Sequence, residues 1–128
     1  MSSVETNYQF ATSHEWVKDN GDGTVTVGIS DHAQGLLGDV VFVELPEEGD
    51  ITLAGETFSL VESVKAASDV YAPVSGVIVA VNQALDESPE IVNDSSFEEG
   101  WIAKIKLDNP QELNALMNFD TYSASLED

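Results

Sequence analysis

Glu56-Thr57-Phe58-Ser59-Leu60-Val61-Glu62-Ser63-Val64-Lys65-Ala66-Ala67-Ser68-Asp69-Val70-Tyr71-Ala72-Pro73 is the stretch that decides the fold. From Glu56 to Val64 apolar and polar residues alternate with a period of two, the mark of a strand. Ala66-Ala67-Ser68-Asp69 are small or polar and suit a tight reversal, after which Val70-Tyr71-Ala72 returns as a second strand closed by Pro73. The alternation groups Phe58, Leu60, Glu62 and Val64 on one face and Thr57, Ser59, Val61, Ser63 and Lys65 on the other. Lys65 is therefore expected to continue the more polar, water-facing row. It stands at or beside the tip of a protruding hairpin, flanked by side chains small enough for another protein to approach its amine. Taken alone, this pattern describes an exposed lysine and nothing more.

The same period recurs outward from the hairpin. His14 to Lys18 and Thr24 to Ile29 read as strands joined by the loop Asp19-Asn20-Gly21-Asp22-Gly23, and Val40 to Leu45, Gly76 to Val81 and Trp101 to Leu107 complete the set. Short, closely spaced strands bounded by Pro, Gly, Asp or Asn indicate a mainly β sandwich or barrel rather than βαβ units. Helices are peripheral. Ser30 as N-cap, Ala33, Leu36 and Leu37 at helical spacing and Gly38 as a stop mark a two-turn helix. Asn109-Pro110-Gln111-Glu112 starts another, with Leu113, Leu116 and Met117 on one face, and Asp120 is placed to cap a last one through Tyr122 and Leu126. Asp86 to Gly100 reads as a long loop with room for a turn of helix.

The chain has 128 residues, enough for one domain with its own core, and 4 basic against 24 acidic residues give a net charge of −20. All four basic residues are lysines. Nucleic acid and anionic membrane surfaces are poor partners for such a chain, because both require clustered positive charge. With no cysteine, disulfides, thiolate metal sites and cysteine nucleophiles are excluded together. The N-terminus has neither a basic nor an apolar leader segment, so the chain reads as soluble and not exported. The acidic loop fails as a calcium site, since Gly23 at the sixth position would put Lys18 first and Ile29 twelfth, where carboxylates are required. His14 and His32 come with no third ligand at a telling spacing, so no metal site is expected. No serine sits in a nucleophile motif.

Lys65 is the residue left to explain. Glu62-Ser63-Val64-Lys65-Ala66, followed by Ala72-Pro73-Val74-Ser75-Gly76, resembles the attachment hairpin of biotinyl and lipoyl carrier domains. Ser13 to Val17, Val27 to Gln34, Leu37 to Pro46, Pro89 to Asn93 and Gly100 to Ile102 resemble, in order, the H-protein family of the glycine cleavage system, from about Tyr8 to the C-terminal helices. Biotinyl domains place Met on both sides of the lysine, and lipoyl domains of 2-oxoacid dehydrogenases usually place Asp before it. Val64 and Ala66 match neither.

The resemblance implies a barrel-sandwich hybrid of two small antiparallel sheets, one lipoyl-carrier domain over 1–128 with its core at about 24–106 and C-terminal helices at about 110–127. It implies that a lipoate-attaching enzyme joins one (R)-lipoate per chain to Lys65, while Lys18, Lys104 and Lys106, in or ending strands, stay free. The implied role is a non-catalytic shuttle. It takes the aminomethyl group of glycine from the pyridoxal-phosphate glycine decarboxylase (P protein) to the folate-dependent aminomethyltransferase (T protein), and dihydrolipoamide dehydrogenase (L protein) reoxidises it. The alternative roles are a relay that donates lipoyl groups to other lipoyl domains and a lipoyl domain of a 2-oxoacid dehydrogenase complex. Ser13, Glu15 and Asp69 are the residues implied to line the cleft that holds the aminomethyl cation. Both acids are expected as exposed carboxylates whose loss leaves the fold unchanged. The expected state is a monomer in the bacterial cytoplasm, or in the mitochondrial matrix for a mature eukaryotic form.

Overall fold

A computed structural model describes residues 8–126. The N-terminal segment expected to carry no leader, before Tyr8, and Glu127, the expected end of the last helix, lie outside the described residues. Two antiparallel sheets carry the fold. The larger has the order β1 (Tyr8–Phe10), β2 (Glu15–Asp19), β3 (Thr24–Ile29), β9 (Ala103–Leu107), β8 (Gly76–Val81), β5 (Ile51–Thr52). The smaller has the order β4 (Val40–Glu44), β6 (Thr57–Ser63), β7 (Ala67–Tyr71). This is the mainly β, two-sheet architecture expected, with short helices at its rim. β1 and β5 are too short to show a period and appear only in the structure.

The core lies between the sheets. Val17, Val25, Val27, Ile29, Ile78, Ala103 and Ile105 of the larger sheet meet Val40, Val43, Val61 and Val70 of the smaller, all buried. A second cluster, Tyr8, Phe10, Trp16 and Tyr122, includes a Phe10–Tyr122 ring stack at 4.3 Å. β2 has a core on both faces, so Glu15, Trp16 and Val17 are consecutively buried and the alternation is lost there.

On β6 the inward row is the reverse of the one expected. Ser59 and Val61 are buried, whereas Phe58, Leu60 and Glu62 are half-exposed. Register decides this: Val61 pairs with Val43 and Ser68 and faces the core, and the Ser59 hydroxyl donates to the Glu44 carbonyl at 2.7 Å. Lys65 is exposed because the strand has ended at Ser63, not because its row faces water.

The first helix, α1 (Asp31–Leu37), is capped as expected: Ser30 Oγ accepts from the Ala33 N–H at 3.1 Å and the Gly38 N–H closes on the Gln34 carbonyl. The 84–94 region holds two one-turn helices, α2 (Ala84–Glu87) and α3 (Ile91–Asp94), which bury Leu85 and Val92. Asn109 caps a 3-10 helix over Pro110–Ala115 rather than an α-helix, and Met117 leaves it to bridge Phe10. Glu112 does not fold back as a capping-box partner. Its carboxylate accepts from Ser75 N and Oγ at 2.6 and 3.0 Å. The last helix, α4 (Phe119–Leu126), is capped by Asn118, which accepts from the Thr121 N–H at 2.8 Å, so Asp120 lies in the first turn instead. No described helix is long and apolar enough to cross a membrane.

Candidate functional site

The β6–β7 hairpin closes on two residues, Val64 and Lys65. Ser63 N–H donates to the Ala66 carbonyl at 2.8 Å, the pairing that ends the ladder. Two-residue hairpin loops usually need positive φ, and neither tip residue has it. The Ser63 hydroxyl resolves this by accepting from both Lys65 N and Ala66 N at 3.2 Å and donating to Ala66 O at 3.0 Å. The turn is thus held by a side chain, and the exposed Lys65 side chain leaves from its outermost position.

A second clamp fixes where that turn sits. Val64 N–H donates to the Asp39 carbonyl at 3.0 Å, tying the tip to the short segment between α1 and β4. Asn93 holds that segment from the other side: its Oδ1 accepts from Val40 N at 2.8 Å, and its Nδ2 donates to Gly38 O at 2.9 Å and Gln34 Oε1 at 2.8 Å. Gly38 has φ +78, and a Cβ there would lie 3.2 Å from Lys65 Cε. The left-handed backbone is what requires glycine, and the lysine stem passes close against it. Asn93 and Gly38 carry the tip's position, and no charge or spacing pattern singles out Asn93 for this. In sequence Gly38 reads only as a helix stop.

Ser13, Glu15 and Asp69 come together. They line one cleft of about 130 Å³, whose other walls include Ile29, Ala33, Leu36, Leu37, Val61 and Val70. A turn in which Ala11 O accepts from His14 N at 3.0 Å swings Ser13 back over Glu15, with His14 held at φ +79. For a non-glycine residue that conformation costs about 1–2 kcal/mol. Tyr122 supports it, with its hydroxyl 2.8 Å from His14 Nδ1 and 2.6 Å from Ser30 Oγ.

The two acids differ in kind. Asp69 is exposed, as expected. Glu15 is not: only 2% of it is accessible, and its carboxylate accepts from Tyr71 N at 2.9 Å and from the Ser13 hydroxyl. Burial raises its carboxyl above the usual range, and the two hydrogen bonds act in the opposite direction. The expectation that its loss leaves the fold unchanged is therefore corrected, because its removal empties a buried position and leaves the half-buried Tyr71 N–H without its acceptor. The histidine rings lie 5.0 Å apart, and burial first, then the charge of His32, lowers His14 from its ordinary value.

Along β7, Asp69 lies four residues from Lys65, roughly 13 Å at the rise of a strand. A larger groove, about 570 Å³ and lined by Glu44, Glu47, Asp50 and Glu56 among others, shares Asp69 with this cleft; Lys65 lines neither, and only the smaller one brings Asp69 together with Ser13 and Glu15. What the site offers is a primary amine on an exposed turn and, within a short distance, a half-apolar cleft with a buried carboxylate at one side and an exposed one at its mouth.

Two antiparallel sheets with a lysine at the tip of one hairpin define a carrier-type barrel-sandwich domain, and the comparisons narrow it. The family model described as "Glycine cleavage H-protein" matches residues 8–128. The chain is 65% identical over 125 residues to the glycine cleavage system H protein of Aliivibrio fischeri, covering 98% of this chain and 99% of that protein. It is 61% identical over 126 residues to that of Marinomonas sp., with the same coverage. The crystal structure of a glycine cleavage system H protein from Mycobacterium marinum superimposes with a TM-score of 0.87 at 35% identity, over 94% of this chain and 97% of that one. The chain belongs to the glycine cleavage H-protein family.

Proposed function

We propose that this chain is the lipoyl carrier of a glycine cleavage system, with Lys65 as the attachment residue. The observation that carries the reading is the Lys65 amine on an exposed two-residue turn, braced by Ser63, Asp39 and Asn93. When attached, (R)-lipoate supplies a dithiolane on a hydrocarbon arm that accepts and gives up the aminomethyl group and an electron pair.

The residues present fit that group. An acylated lysine extends on the order of 14 Å from its Cα, which spans the distance to Asp69. Ala33, Leu36, Leu37, Val61 and Val70 give the cleft an apolar lining suited to hydrocarbon. The three polar residues suit a cationic cargo: Asp69 places a carboxylate at the mouth, Glu15 adds a desolvated one, and Ser13 holds Glu15 in position. The apolar lining and the α1 wall limit the access of water. The carrier itself completes no turnover. A decarboxylase, an aminomethyltransferase and a dihydrolipoamide dehydrogenase are the enzymes its arm serves, and a lipoate-attaching enzyme prepares it. The net charge of −20 favours fast, transient encounters with basic surfaces. We read the chain as one carrier domain, a monomer acting in the bacterial cytoplasm.

The test is chemical. After incubation with lipoate, ATP and a lipoate ligase, the intact protein should gain one lipoyl group, mapped by peptide mass to the Lys65 peptide. Lys65→Arg should gain none, and a Lys65→Arg chain that is still modified overturns the assignment.

A further inference from the structure

Three large apolar side chains stand in water on the segments that meet at Lys65. Val41, Phe42 and Val64 are 52, 43 and 67% exposed. Val64 shares the turn with the lysine. Val41 and Phe42 are there because of a bulge. Val40 pairs with Ser63 and Phe42 with Glu62, so Val41 is the extra residue. In a regular strand one of the two neighbours would point into the core, but here both stay outside, between buried Val40 and Val43. Singly exposed apolar residues are ordinary; three on the segments that converge on one modifiable amine form a docking face.

We propose that this apolar collar is where the enzyme that acylates Lys65 docks, an inference that rests on the reading of Lys65 as the attachment residue. Reach selects that partner over the others. A bare lysine amine stands only about 6 Å from its Cα, so an enzyme that acylates it must bring its active site onto the turn and cover the side chains around it. Enzymes that receive the finished arm, about 14 Å long, meet its end away from the collar. The face that fits is an apolar recess edged by Lys or Arg, which would meet Asp39 and Glu62 on the same segments. In the reaction the deprotonated Nζ attacks the carbonyl carbon of an acyl adenylate. The C–N amide bond forms, the bond from the acyl carbon to the phosphate oxygen breaks, and AMP leaves with the electron pair. The two protons shed by the ammonium go to solvent.

The collar is tested by the rate at which a lipoate ligase, given lipoate and ATP, modifies the folded full chain, read by intact mass. V41S/F42S should lose at least tenfold in kcat/KM, and V64T, which changes one methyl to a hydroxyl on the turn, about threefold. I51S/L53S removes two equally exposed apolar side chains elsewhere, 74 and 52% accessible, and should stay within twofold of wild type. Once fully modified by long incubation, V41S/F42S should be reduced by dihydrolipoamide dehydrogenase and NADH at the wild-type rate. Wild-type attachment rates in V41S/F42S and V64T overturn the proposal, as does a dehydrogenase rate that falls in parallel. If V41S/F42S loses its circular dichroism signature, V64T decides. Wild type that takes up no lipoate at Lys65 overturns this proposal together with the function it rests on, whereas a modified wild type with indifferent variants overturns the collar alone.

Discussion

Glu15→Ala tests the site's most committed side chain. Its carboxylate is buried and receives the Tyr71 N–H and the Ser13 hydroxyl. Truncation leaves the Tyr71 donor without an acceptor, which costs about 1–3 kcal/mol, and the lost Ser13 bond adds about 1 kcal/mol. The sum, about 2–4 kcal/mol, corresponds to a melting temperature lower by roughly 6–15 °C for a domain of this length. Glu15→Gln keeps an amide oxygen for Tyr71 and should cost about 1 kcal/mol. The pH dependence has a definite sign. Because burial raises the folded carboxyl above its ordinary value of 4.5, the folded state holds this proton more tightly than the unfolded chain. Its stabilising share is complete below the unfolded value and is lost as the pH rises through the folded one. Wild type should therefore gain on Glu15→Gln as the pH falls toward 4.5, measured by thermal melting at a series of pH values. A wild-type to Gln gap that does not change with pH, or a Glu15→Ala protein melting within about 2 °C of wild type, refutes the account of Glu15 as a buried, backbone-clamping acid.

Gly76→Ala should be severely destabilising, by more than about 3 kcal/mol in urea unfolding, because its Cβ would sit 2.0 Å from the Lys106 carbonyl oxygen across the β8–β9 ladder. A soluble variant with an unchanged urea midpoint would contradict that packing. Tyr122→Phe removes the hydroxyl shared with Ser30 and His14 and should lower stability by about 1–2 kcal/mol. It should also speed proteolytic cleavage near α4, and an unchanged digestion pattern would show that the hydroxyl does not anchor the helix.

The strands were legible where one face is buried and one is wet, as in Gly76 to Val81, and where caps are local, as at Ser30. They were illegible where tertiary packing sets the rule. Glu15-Trp16-Val17 shows no alternation because cores lie on both sides of β2, so Glu15 reads as one acid among 24 and not as a buried one. The inward row of β6 depends on its register with β4 and β7, which hydropathy alone inverts. Lys65 was found on the right turn for a partly wrong reason. Asn93 reads as an ordinary loop polar residue until the fold places it between α1 and β4.

β7 is an outer strand of the three-stranded sheet, and a bare outer strand is an open template for pairing with another chain. The Glu15 carboxylate occupies the Tyr71 N–H, and the exposed Asp69 puts a charge on the same strand. A foreign strand laid along β7 would lose one ladder bond and meet negative charge. A protein that must visit several enzymes in turn gains from this: strand pairing along β7 is disfavoured, so this edge does not hold a partner once the encounter is over.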